Sequence, residues 1–261
     1  MKKLKLLMLS ISLLTAQQAL AQALTSMRYG VEAEYPPFES KTADGKLVGF
    51  DIEVGKVICR DAQLKCSWVQ NSFDTLIPAL KARKFDVINS SMDITPQRAK
   101  AVAFTHPIYQ VPTMLIARKG SGLLPTVASL RGKNVGVLQG SSQEAFAIKV
   151  WQPKGVTITS YKDQNQVYSD LSMGRLDATL VMSSAGQSGF LDKPEGKDFS
   201  FVGRAIRDPK VFGPGVGFAL RKDDTALRNR LNKAIKQVQK DGTLHRLSMK
   251  YLHGVDVNVN Q

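Results

Sequence analysis

Short apolar, β-branched runs alternate along this chain with stretches whose apolar residues recur every three or four positions, and that alternation restricts it to the α/β class. Strands are expected over 27–31, 66–69, 85–88, 113–117, 134–138, 156–159 and 178–181, with a last one at 218–220. Between them, Val54, Val57 and Ile58 recur at helical spacing behind Asp51, which stands where a cap would. Leu76, Ile77 and Leu80 form a second face, with Pro78 tolerable only in a first turn. A third helix is expected to begin at Gln143. A fourth carries Leu227, Leu231, Ala234, Ile235 and Val238 on one side and ends at Asp241-Gly242. The chain is 261 residues long and 43% hydrophobic, enough for one large core or two modest ones.

The first residues follow a different rule. Basic Lys2, Lys3 and Lys5 precede an apolar run over 6–14 and a small-x-small site at Ala19-Leu20-Ala21. That order is the pattern of a secretory signal peptide, expected over 1–21 with cleavage near Ala21, and the apolar run is too short to span a bilayer. Its removal lowers the formal charge of +14 to +11. The remaining Lys and Arg lie on solvent-facing helical positions such as Arg228, Arg230 and Lys233, with no basic stripe interleaved with aromatics, so nucleic acid is not expected as a partner.

Export makes the two cysteines readable. In an oxidising compartment Cys59 and Cys66 are most simply one disulfide, tying a helix end to the next strand. No metal site is expected, because His106, His245 and His253 lie far from that pair in sequence.

Polar residues sit directly after several strands, where open α/β sheets bind their ligands. Leu138-Gln139-Gly140-Ser141-Ser142-Gln143 runs from a strand through a turn into a helix and would aim N–H groups and hydroxyls at an anion. It lacks the lysine and spacing of a phosphate loop, so a carboxylate suits it better than a nucleotide; an ordinary helix cap is the plainer alternative. Asn89, Ser90 and Ser91 follow another strand, and Arg98 shortly after could clamp a carboxylate in two places; a surface arginine and a turn are the plainer alternatives there. Tyr35, Phe38 and Phe73 could wall a ligand's aliphatic part or simply join the core. No nucleophile motif of the Gly-x-Ser-x-Gly kind is present and no histidine accompanies a plausible nucleophile, so catalytic residues and cofactors are not expected.

Taken together, the segments 49–59, 73–80, 91–98, 136–141, 174–178 and 241–243 resemble, in order, the motifs of the family-3 periplasmic solute-binding proteins of ABC importers. The likeness spans essentially the whole mature chain and is nearest to the branch that binds lysine, arginine, ornithine or histidine; the cysteine pair is similar to that branch too. The resemblance implies the two-lobed periplasmic binding protein fold (type II), two hinge-connected α/β domains closing on a cleft. One lobe would combine residues 24–111 with a return segment 212–261. The other would be 113–206, with the hinge at 111–113 and 206–212.

It also implies site residues. Arg98 would pair a ligand α-carboxylate, helped by the backbone at Asp93 and by Ser142. Tyr35 and Phe73 would sandwich the side chain, and Glu32 would face its cationic end. Ser90, Ser91, Ser141 and Gln143 would supply hydrogen bonds. One position departs: where relatives place an aspartate for the α-ammonium, this chain has Met182. Two alternatives stand open: Asp93, where several relatives have a small hydroxyl residue, substitutes for it, or the ligand is an N-substituted arginine derivative of the opine type. The implied function is delivery of a basic amino acid, arginine-like first, to ABC permease subunits by a periplasmic monomer. An exported dehydratase acting on prephenate-like or arogenate-like acids shares this fold and is the enzymatic rival; two cleft carboxylates fit an acidic substrate poorly.

Overall fold

A computed structural model of the chain describes residues 26–252 together with 254, 255 and 257. The expected signal peptide, residues 24 and 25 and most of the last few residues, His253 among them, lie outside the described residues.

Along the chain, β1 (Ser26–Val31) leads to α1 (Phe50–Asp61), β2 (Lys65–Gln70), α2 (Leu76–Lys81), β3 (Val87–Ile88), α3 (Pro96–Ala99) and β4 (Ala103–Phe104). Then come β5 (Thr113–Arg118), β6 (Asn134–Leu138), α4 (Ser142–Phe146), β7 (Thr157–Tyr161), α5 (Gln164–Ser172), β8 (Ala178–Met182) and β9 (Phe199–Ile206). β10 (Ala219–Leu220), α6 (Thr225–Lys240) and α7 (Thr243–Tyr251) close the fold.

These strands make two five-stranded sheets, in the order β2-β1-β3-β10-β4 and β9-β5-β8-β6-β7. Each sheet is the centre of one α/β lobe. In the first, β1 pairs in parallel with β2 and β3, and β10 returns antiparallel beside β3, which brings the end of the chain back to the lobe where it started. In the second, β6 pairs in parallel with β7 and β8, while β5 runs antiparallel to β8. Both sheets therefore contain a strand whose successor lies on one side and whose next-but-one lies on the other. Chain connections depart in opposite directions there, leaving a crevice beyond the strand ends. The crevice of the first lobe opens between the ends of β1 and β3; that of the second opens between β6 and β8.

Burial follows the periodicity. α6 buries Leu227, Leu231, Ala234, Ile235 and Val238, the stripe expected from its spacing. One apolar cluster, around Tyr29, Phe50, Leu76 and Ile235, continues from the first lobe to Val167, Tyr168 and Phe190 of the second, and another, around Leu115, Val135, Trp151 and Leu180, lies within the second lobe. The Cys59–Cys66 disulfide joins the last turn of α1 to β2; closing so short a loop contributes about 2–3 kcal/mol by limiting the unfolded chain.

Two sequence expectations need correction. Asp51 does not cap α1. Gly49, at φ 131°, turns the chain so that the Phe50 and Asp51 N–H groups donate to the Pro37 and Phe38 carbonyls at 2.8 and 2.9 Å. With the first N–H groups satisfied by backbone, the Asp51 carboxylate is free to point inward. The helix expected from Gln143 starts one residue earlier and keeps its α-helical form only to Phe146, passing into a wider π-type turn over 147–151.

Candidate functional site

The two crevices face one another. Glu32 and Ala33 directly follow β1, and Ser90 and Ser91 follow β3 one residue later. The Glu32 N–H donates to Ser90 Oγ at 3.0 Å, so the parallel pairing of β1 with β3 places these polar residues side by side. In the opposite lobe Leu138 ends β6 and Met182 ends β8, bringing the Gly140-Ser141-Ser142 turn beside Met182.

Tyr35, Phe73, Ser91, Asp93 and Arg98 from the first lobe and Ser141, Ser142, Gln143 and Met182 from the second enclose one small space between the lobes. Leu138 joins them and was not singled out from the sequence; its place as the last residue of a strand leading into the polar turn is the signal that could have found it. The space is about 10 Å³, room for roughly one water, so the lobes are closed on one another. Glu32 and Ser90 do not line it. Glu32 lies in an adjoining open cleft of about 350 Å³, with Lys41, Asn71 and Ser72 on its own lobe and Lys162 and Asp163 opposite. The segments 33–35 and 72–73 border both spaces, so a ligand held between Tyr35 and Phe73 would have one end near Asp93 and Arg98 and the other near Glu32.

Arg98 crosses the cleft. Nη1 donates to the Asp93 carbonyl at 2.8 Å within its own lobe, and Nη2 donates to the Gly140 carbonyl at 2.9 Å in the other. Its guanidinium also lies over the Phe73 ring, 5.5 Å from the centroid. The Ser142 hydroxyl reaches back to donate to the Asp93 carboxylate. Ser141 caps α4 by accepting from the Glu144 N–H at 3.0 Å, and the Glu144 carboxylate accepts the Gly140 N–H at 2.6 Å. This reciprocal cap was the plainer alternative for the turn, and it is present. Gln143 Nε2 donates to Thr113 Oγ1 at 2.9 Å, tying the site to β5 as that strand enters the second lobe. Thr113 pairs with Ile206, so the segments crossing between the sheets run side by side along a groove of about 390 Å³ that has Asp93 in its wall.

Beneath the first-lobe crevice lies a layer that the sequence did not announce. Ser90 Oγ donates to Glu39 at 2.8 Å; Asp51 accepts from the Ser91 N–H at 2.6 Å and from the Tyr109 hydroxyl at 2.7 Å. Glu39 and Asp51 are both buried and touch, so burial keeps the pair's proton on Glu39 and its charge on Asp51, where the N–H and hydroxyl donors converge. Burial likewise raises the Glu32 carboxyl to about 7, with Glu34 adding repulsion, and raises Asp93 to about 6 against the pull of Arg98 and Ser142. Carboxyls whose folded pKa exceeds the unfolded value stabilise the protein below the unfolded value, near 4, and that stabilisation disappears as pH rises through the folded one. The ligand-free protein is therefore expected to melt about 5–10 °C lower at pH 7.5 than at pH 5 by scanning fluorimetry; an equal or higher melting temperature at pH 7.5 would contradict the placement of these acids.

Comparison with known proteins agrees with this architecture. The family described as bacterial extracellular solute-binding proteins, family 3, matches residues 27–254. The lysine/arginine/ornithine-binding periplasmic protein of Escherichia coli K12 is 47% identical over 258 residues, covering 99% of this chain and 98% of that protein. The histidine-binding periplasmic protein of Salmonella typhimurium is 47% identical over 252 residues, 96% of this chain and 97% of its own. Among solved structures, a Salmonella typhimurium periplasmic binding protein studied for its high arginine specificity superposes with a TM-score of 0.79 at 32% identity, covering 87% of this chain and 99% of that one.

Proposed function

The chain belongs to the family-3 bacterial extracellular solute-binding proteins, and from that premise we propose that it captures a basic amino acid or a close derivative, arginine-like first, in the periplasm and delivers it to ABC permease subunits. The observation that carries this reading is the placement of Glu32: a carboxyl buried to 5% exposure beside the cleft, with no salt bridge to a basic side chain among the described residues. A guanidinium or ammonium reaching it would restore its ionised form. Tyr35 and Phe73 would hold the aliphatic stem between them, while Ser91, Ser141, Ser142 and Gln143 supply polar contacts.

In this reading the lobes are 24–111 with 212–261, and 113–206. They rotate about the paired crossings at 111–113 and 206–212, and ligand bridging the crevices selects the closed state that the permease recognises. The close relatives carry the names of binding proteins, and the site offers no activated nucleophile, so we assign no catalytic step; prephenate-like acids would meet Glu32 and Asp93 as like charges. The protein is taken to act as an exported monomer without a nucleic-acid partner.

Mass spectrometry of the small molecule that copurifies, followed by calorimetry on unfolded, stripped and refolded protein, tests the reading. Arginine, lysine, ornithine, histidine and their derivatives form the panel, and failure of the whole panel would overturn it.

A further inference from the structure

Four donors that border the enclosed space are directed at acceptors belonging to the chain. Both Arg98 Nη atoms donate to carbonyls, of Asp93 and Gly140; the Gly140 N–H goes to Glu144; the Ser142 hydroxyl goes to the Asp93 carboxylate. Asp93 itself lies in the wall of the enclosed space, 7% exposed, with Arg98 as its facing cation. Its carboxylate thus stands where an amino-acid ligand would bring one. The opposite wall is of the same kind: Met182, 3% exposed at the end of β8, offers a thioether and no carboxylate to hold an α-ammonium from the second lobe. The two features are complementary, since a ligand with no carboxylate needs no clamp and can place its amine on Asp93 with its methylenes against Met182.

Resting on the reading that this cleft takes a cation of the basic-amino-acid kind, we propose that its preferred ligand lacks the α-carboxylate: a guanidino-amine or diamine, the product left when a basic amino acid is decarboxylated. Its amine pairs with Asp93 at the inner end, and its guanidinium or second ammonium pairs with Glu32 at the mouth. An α-amino acid would force its carboxylate against the Asp93 carboxylate in a site closed to water, where like charges repel strongly. An opine-type derivative, which adds a second carboxylate, fits worse still.

Calorimetry on the stripped full-length mature protein with three matched pairs, arginine and agmatine, ornithine and putrescine, lysine and cadaverine, tests this. Agmatine is expected to bind at least about 10-fold more tightly than arginine, and D93S, which replaces the internal carboxylate facing Arg98 by a hydroxyl, is expected to reverse that order. Tighter binding of arginine than of agmatine by the parent protein overturns the inference and leaves the basic-ligand reading standing. Binding of none of the six overturns both. The parent comparison does not depend on D93S folding, and D93N supplies a variant of equal size, expected to lose the agmatine preference.

Discussion

Replacing Gly140 by valine is expected to leave both lobes folded and to weaken ligand binding by about 100-fold or more. Gly140 turns between β6 and α4 at φ +76°, a conformation that β-branched residues resist, and a Cβ placed there would lie 2.9 Å from the Cα of Asp74 in the opposite lobe. That neighbour is backbone, so no rotamer change relieves the clash. The lobes must stay apart, and separation breaks the Arg98–Gly140 and Ser142–Asp93 bonds that cross the cleft. Calorimetry reads the affinity, and small-angle scattering reads the shape. The variant is expected to keep its open radius of gyration when ligand is added. Binding within threefold of the parent would show that Gly140 is not part of the closing contact. The melting temperature of the ligand-free variant should fall by only a few degrees, because the strain is local and at the surface of one lobe.

Glu32→Gln should be nearly as damaging, about 100-fold for any ligand with a guanidinium or ammonium at its far end, as expected for removing one partner of a buried charge pair. The amide keeps the shape and can still accept the Glu34 N–H that bonds Glu32 Oε1 at 3.1 Å, so the change is one of charge. Its signature is in the pH profile. With the Glu32 carboxyl at about 7 in the closed cleft, affinity for a cation should rise with pH through that value, since the cation favours the ionised form. In the glutamine variant this rise should vanish. A neutral ureido analogue of the same length should bind parent and variant alike; a 100-fold loss for that analogue as well would mean that the substitution disturbs packing rather than charge.

Much of the fold was legible in residue order because it rests on local periodicity. The stripe Leu227 to Val238 can be buried on only one face of a helix, and 135–138 lacks polar side chains because β6 lies inside a sheet covered on both sides. The disulfide was likewise readable from a short segment, given the oxidising compartment that the first residues lead one to expect. The position of Asp51 shows the limit of such reading. Its sequence context is that of a helix cap, yet Gly49 and the 37–38 carbonyls take over that task and turn the side chain toward Ser91 and Tyr109.

What the sequence determined by itself was the class of fold, a property of neighbours along the chain; the cleft residues and the departure at Met182 were expectations carried by a resemblance of motifs in order. Which charge answers which was decided by tertiary structure alone. Arg98 and Gly140 are 42 residues apart, Asp93 and Ser142 are 49, and Ser90 and Glu39 are 51. A donor's remaining capacity for a ligand depends on every acceptor that packing brings within about 3 Å of it, and only the folded chain sets those distances. Arg98 read alone is a carboxylate clamp; with Asp93 and Gly140 folded against it, it is a clamp already engaged.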